Sequence, residues 1–364
     1  MKYLSEYRNK EATLSYLEAI AGKATSTWRI MEVCGGQTHG LVKNGIIDLL
    51  PDTVQMIHGP GCPVCVTPTS LIDKAVELLE GGVIVCSFGD MVRVPGSEKS
   101  LLEAKSSGGD LRILYSPMEA VTIARENPEK EVVFFAVGFE TTAPANALSV
   151  LHAEKAGIYN YSLLVSHVLV PPAMEAILDD EHCMVDAFLG AGHVCAIMGT
   201  HQYHPIAQRY KVPVVITGFE PLDLAEGIYR AVSQLEEGRY EVENQYARVV
   251  REEGNLQAQA VIEQIFETGE REWRGIGSIP GSGYRMKGSY DRFNAEKKFG
   301  IQQRKVVTET RCIAGDILKG IKKPSECEHF RRECSPLNPL GAPMVSSEGA
   351  CAAYYHYKSE SNQA

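Results

Sequence analysis

The sequence predicts an α/β protein built from two similar units, each a parallel sheet with helices on both faces, followed by a C-terminal region of different character. Two observations carry this. Short runs of branched apolar residues alternate with helical periodicity through the first two-thirds of the 364-residue chain, and strand–helix alternation implies parallel sheets covered on both faces. There is also an internal echo. Gly138-Phe139-Glu140 follows one apolar run and Gly218-Phe219-Glu220 follows another, each ahead of a helical stretch.

Taken in order, the predicted strands are residues 29–33 (RIMEV), 53–57 (TVQMI), 83–88 (VIVCSF), 111–115 (LRILY), 132–137 (VVFFAV), 161–165 (YSLLV) and 214–217 (VVIT). Each is short, apolar and bounded by Gly, Pro or charge. Leu71, Ile72, Ala75, Val76 and Leu79 repeat at the helical period, with Thr67 as N-cap and Pro68 in the first turn. Residues 222–235 and 256–266 repeat in the same way. Beyond about residue 244 come one helix, a Gly-rich stretch at 273–288 (WRGIGSIPGSGYRMKG) and a tail dotted with proline and cysteine. The expected division is 1–130, 131–244 and 245–364.

Composition narrows the function. The formal charge of −10 repels phosphate backbones, so nucleic acid is not the expected partner. No run approaches the length of a membrane span. The first twenty residues, MKYLSEYRNKEATLSYLEAI, lack the apolar core of a signal peptide. A cytoplasmic protein is expected, and ten cysteines in a reducing compartment point to metal or redox chemistry rather than structural disulfides.

Cys34 follows the first strand directly, in Met31-Glu32-Val33-Cys34-Gly35-Gly36-Gln37-Thr38-His39. Ligands of open α/β sheets bind at the carboxyl ends of strands. The two glycines allow a tight turn, and the helix that should follow presents N–H groups that favour a thiolate. His39 is a candidate base or supporting donor. Cys62 and Cys65, in His58-Gly59-Pro60-Gly61-Cys62-Pro63-Val64-Cys65, form a C-x-x-C after the second strand. That spacing suits a small disulfide ring or two thiolates on one metal, and half a zinc knuckle or two buried thiols are the alternatives. If the first two strands are neighbours, all three cysteines converge on one cleft, a thiolate set suited to a soft metal. Asp90, Arg93 and Glu140 also follow strand ends and are candidates to line it.

The tail holds Cys312, Cys327, Cys334 and Cys351. Four thiolates complete the ligand set of a [4Fe–4S] cluster or a Cys₄ zinc site. A redox-active C-x-x-C in the same chain favours the cluster, since zinc has no redox chemistry. Cys86 reads as strand packing, and Cys183 and Cys195 lack a motif. His193, His201 and His204 are spaced too irregularly to make a metal site with Cys195.

These motifs together resemble the HypD family of hydrogenase maturation factors. The resemblance runs through MEVCGGQTH from Met31, IHGPGCPVCV from Ile57, FGDMVRVPG from Phe88 and VGFETTAP from Val137. It continues in GFEPLDL from Gly218, VENQYARVV from Val242, EWRGIG from Glu272 and MVSSEGACAAYY from Met344. It implies a scaffold that works with a small HypC-type partner to assemble the Fe(CN)₂CO unit of [NiFe]-hydrogenase, with cyanide delivered as a thiocyanate by a HypE-type partner. It implies that Cys34 is an iron ligand, with Cys62 and Cys65 cycling between dithiol and disulfide or holding the iron transiently. It further implies a [4Fe–4S] cluster on Cys312, Cys327, Cys334 and Cys351. A general dithiol–disulfide reductase and a zinc-stabilised interaction protein are the competing readings from the residues alone.

Overall fold

The computed structural model describes residues 6–301 and 311–358. It contains the two parallel sheets that the alternation predicts. The chain builds β1 (Trp28–Glu32) and β2 (Val54–His58), then β3 (Ile84–Ser87), β4 (Leu111–Ile113), β5 (Val132–Gly138) and β6 (Tyr161–His167). It continues with β7 (Ala187–Ala191), β8 (Val214–Thr217), β9 (Val242–Asn244) and an antiparallel hairpin, β10 (Phe266–Trp273) and β11 (Gly277–Met286). One sheet has the order β2-β1-β7-β8-β9 and the other β4-β3-β5-β6. All neighbours within each are parallel. The chain therefore starts the five-stranded sheet, leaves to make the whole of the four-stranded one, and returns.

Both faces of each sheet are buried, which explains why the strands read as continuous apolar runs. In the five-stranded sheet Ile30, Met56, Leu189 and Val215 face the helices Lys10–Lys23 and Pro221–Glu237, while Met31, Ile57, Phe188 and Val214 enter a second core. The four-stranded sheet alternates in the same way: Ile84, Cys86, Phe134 and Leu163 pack on one side, and Val85, Val133, Phe135 and Leu164 on the other. Cys86 is thus a core residue, as its place in a strand suggests.

The structure differs from the sequence-based expectation at several places, the unpredicted strands β9 and β10 among them. The helix Thr69–Glu80 is capped by Pro68. Thr67 precedes a proline, which biases it to extended backbone (ψ 124°), and it closes the short helix Pro63–Val66 instead. β7 was not expected, because AFLGA is poor in branched residues. A Cβ on its Gly190 would lie 2.5 Å from Ile216 Cδ1, so the end of the Ile216 side chain occupies the space that the glycine leaves. The Gly-rich stretch after Trp273 is a full strand of the hairpin, tied to the four-stranded sheet by the Leu169 N–H donating to the Ser282 carbonyl at 2.8 Å. Among the described residues no helix is long and apolar enough to cross a membrane.

Candidate functional site

The site begins with strand register. β1 pairs with β2 so that Glu32 lies opposite His58, and the loops carrying Cys34 and Cys62 leave the sheet side by side. They touch backbone to backbone. The Gly59 N–H donates to the Glu32 carbonyl at 2.9 Å, and the Gly35 N–H to the Gly61 carbonyl at 2.8 Å. A Cβ on Gly61 would lie 2.3 Å from the Cys34 nitrogen, so this approach requires glycine. The convergence expected from the sequence is therefore a consequence of two neighbouring strands and one glycine.

Cys34 has extended backbone and stands as N-cap of the helix Gly35–Lys43. Burial pushes its thiol pKa up to about 12, helped by the carboxylates of Glu348 and Glu32 and opposed by the N–H groups of Gly36 and Gln37. The helix start does favour the thiolate, as expected, but burial outweighs it. Cys62 and Cys65 are buried and joined as a disulfide with Cα atoms 5.2 Å apart. Cys62 caps the helix Pro63–Val66, its Sγ accepting from the Cys65 N–H at 3.2 Å.

Two side chains stand against the glycines that follow Cys34. Phe219, from the second Gly-Phe-Glu, packs over Gly36 and stacks on His193 with ring centres 3.8 Å apart. Glu348 lies against Gly35, where a Cβ would meet its Cβ at 2.4 Å. The segment carrying Glu348 is pinned from the end of β3. The Ser346 hydroxyl donates to Asp90 Oδ2 at 3.0 Å, and Arg93 Nη2 donates to the Val345 carbonyl at 3.1 Å. Asp90 and Arg93 thus act through the C-terminal segment. Glu140 is fully buried, its Oε1 accepting from the Val170 N–H at 3.0 Å, and burial raises its pKa to about 7. His39 turns to the same segment, with Nδ1 3.3 Å from the Ser347 carbonyl and its ring edge-on to Tyr357.

Sequence reasoning missed a buried hydrogen-bond network under Cys34. Glu32 accepts from the Cys34 N–H at 3.2 Å and from the Thr38 hydroxyl, and pairs with His58 Nδ1 at 2.8 Å. His58 Nε2 meets the Tyr354 hydroxyl at 3.0 Å. The available signal was an ionisable side chain at the last position of both β1 and β2, Glu32 and His58.

The four tail cysteines line one pocket with Ile313, Ile317, Phe330, Leu340 and Met344. Burial raises the pKa of Cys312, Cys334 and Cys351, and neighbouring thiols of the set raise each further. Among the described residues no three Cys, His, Asp or Glu side chains gather closely enough to hold a single ion. The thiols encircle the pocket instead. Gly341 leaves room for Cys312, whose Sγ would lie 2.3 Å from a Cβ there. The loop from Cys327 to Cys334 turns through Arg331 at φ 59°, and this guanidinium donates to the carbonyls of Tyr354 (3.1 Å), Tyr355 (2.9 Å) and Lys358. These are the last carbonyls of the helix Ala350–Tyr357, which carries Cys351. One side chain therefore locks two cysteine-bearing segments together. Arg274 connects the two cysteine sites. Its N–H donates to the Val66 carbonyl at 2.8 Å, next to Cys65, and its charge lowers the Cys312 pKa.

A family model named HypD and described as "Hydrogenase formation hypA family" matches residues 11–358. The chain is 47% identical over 367 residues to the hydrogenase maturation factor HypD of Azotobacter vinelandii, covering 98% of this chain and 97% of that one. It is 44% identical over 370 residues to that of Rhodobacter capsulatus, with 98% of each chain covered. It is 43% identical over 373 residues to that of Escherichia coli strain K12, with 100% of each chain covered. Similarity of this extent, on a chain whose motif cysteines meet at one sheet edge and in one tail pocket, shows that the chain belongs to the HypD family of hydrogenase maturation factors.

Proposed function

We propose that this maturation factor is the scaffold on which an Fe(CN)₂CO unit is assembled, in the cytoplasm, with a HypC-type partner and a HypE-type cyanide donor. The observation that supports the reading is the backbone contact between the Cys34 and Cys62 loops; a thiol that binds iron would there stand beside a pair that cycles between dithiol and disulfide. Iron is the substrate here. Cys34 supplies a soft thiolate ligand, with its partner's cysteine as the second. The nearby carboxylates of Glu32 and Glu348 favour a cation.

Cys62 and Cys65 supply the electrons. A thiocyanate R–S–CN and the reduced pair yield R–SH, HCN and the Cys62–Cys65 disulfide: one S–C bond breaks, one S–S bond forms, and the two thiol protons go to the two products. Returning the disulfide to the dithiol takes two electrons and two protons. The four tail thiols line one pocket, and a [4Fe–4S] cluster suits the reading better than a zinc ion, because zinc has no redox chemistry to offer the Cys62–Cys65 pair. Such a cluster supplies one-electron transfer when bound. His39 holds the Glu348 segment through the Ser347 carbonyl.

The test is anaerobic iron and sulfide analysis with Mössbauer spectra, for the protein alone and with its small partner. About four irons and four sulfides per chain, plus one further iron in the complex, are expected. Cys34→Ala should lose the infrared cyanide and carbonyl bands. A preparation holding zinc and no sulfide overturns the cluster, and bands retained in Cys34→Ala remove Cys34 from the ligand set.

A further inference from the structure

We propose that Glu32, His58 and Tyr354 form a positioning strut that couples the four-cysteine pocket to Cys34. The inference rests on the reading that this pocket is loaded, and it concerns how loading reaches the cleft.

Each member of the strut belongs to a different cysteine site. Glu32 ends β1, two residues before Cys34. His58 ends β2, four residues before Cys62. Tyr354 lies in the helix Ala350–Tyr357, three residues after Cys351. All three are buried, at 0%, 4% and 4% exposure, so their polar atoms depend on one another. With Glu32 as carboxylate and His58 neutral, the Tyr354 hydroxyl donates to Nε2, Nδ1–H donates to Oε1, and Oε2 receives the Cys34 N–H. Every donor then faces an acceptor. The rings of His58 and Tyr354 also meet edge to face, 5.3 Å between centres. A shift of Tyr354 therefore breaks a buried hydrogen bond unless His58 and Glu32 follow, and Glu32 holds the backbone of Cys34.

The helix end of the strut is itself tied to the pocket. Arg331, between Cys327 and Cys334, grips the carbonyls of Tyr354 and Tyr355. Cys334, Cys351 and Tyr354 share one apolar cluster with Val42, from the helix that starts after Cys34. Three of the four pocket cysteines thus move with Tyr354. Filling the pocket fixes this group, and the strut passes the fixed position to Cys34.

Two measurements test this in the full chain. In the first, Cys34 is alkylated with iodoacetamide, anaerobically, before and after reconstitution with iron and sulfide, and the rate is read at the Cys34 peptide by mass spectrometry. Wild type should change rate by at least about fivefold on loading, the lower end of ordinary coupling between sites. Tyr354→Phe should take up the same iron and sulfide while its ratio falls toward one, and Tyr355→Phe should keep the wild-type ratio. A Tyr354→Phe protein that keeps the full ratio, or a loaded wild type with no change in rate, overturns the strut. The second measurement is hydrogen exchange at the Cys34 amide in metal-free protein, which Tyr354→Phe should speed by roughly 2–10-fold, the weight of one net hydrogen bond. Exchange changes confined to 350–357 overturn the strut. If wild type takes up no sulfide, the pocket reading fails, and the exchange experiment still decides the strut.

Discussion

Replacing Gly61 with alanine tests the packing that brings the cysteines together. The new Cβ would sit 2.3 Å from the Cys34 nitrogen, 2.5 Å from its Cα and 2.5 Å from the Val33 carbonyl carbon. All three are backbone atoms, so no side-chain rotation relieves the clash. Ordinary contact begins at 3.4 Å, and the loop must retreat by about 1 Å to reach it. That retreat breaks the 2.8 Å bond from the Gly35 N–H to the Gly61 carbonyl. Overpacking a tight interior costs about 1–3 kcal/mol and a net hydrogen bond about 0.5–1.5 kcal/mol, so the expected loss is about 2–4 kcal/mol. Urea unfolding read by circular dichroism gives the loss, with Gly22→Ala as reference. Gly22 lies in the helix Lys10–Lys23 with nothing within 4 Å of its Cβ position, and alanine there should stabilise by about 0.5–1 kcal/mol. The separated loops should also lose the cyanide and carbonyl infrared bands of the partner complex. Wild-type midpoint and wild-type bands in Gly61→Ala would show that the two loops do not meet through their backbones, and the convergence argument would fall.

Further predictions concern the buried charges. Burial raises Glu140 to about 7 from 4.5, so between those values the folded chain binds more protons than the unfolded one and stability falls as pH rises. The group should cost about 3 kcal/mol above pH 7, and Glu140→Gln should flatten that slope in unfolding measured from pH 4.5 to 8; equal slopes refute it. Arg331→Ala removes the guanidinium from three carbonyls and should destabilise the C-terminal helix by about 2 kcal/mol, read as faster amide exchange at 354–358 and lower iron and sulfide content. Arg274→Gln removes a cation whose field lowers the Cys312 pKa. Added negative charge in the pocket then becomes less favourable, so a potential measured by EPR-monitored titration should become more negative.

The strands and the cysteine pairs were legible because each depends on local signals. An apolar run, a Gly-Gly after a cysteine and a C-x-x-C are visible without any partner. β7 was not legible, because its small residues make sense only beside Ile216 of the neighbouring strand. Phe219 and Glu348 were not singled out, since their role is to stand over Gly36 and Gly35 from 183 and 313 residues away in the chain. The Cys34 thiol shows the same limit in its chemistry. The helix start that lowers a thiol pKa can be read from sequence, whereas the burial and two carboxylates that outweigh it come from the fold.

That reversal orders the chemistry of the site. Burial holds the Cys34 thiol pKa far above neutrality, so the empty site carries a protonated thiol. Burial likewise raises Cys312, Cys334 and Cys351. Neutral thiols are poor nucleophiles and resist oxidation, which keeps an unloaded chain from closing wrong disulfides in either site. On the proposed reading a soft cation would supply the positive charge that the interior lacks, and it would take the place of the thiol proton. Loading therefore releases protons, and metal affinity should fall as pH is lowered. The acidic groups around Cys34 would serve both stages, since the carboxylates that add to burial in holding the proton on the empty thiol would also attract the cation that displaces it.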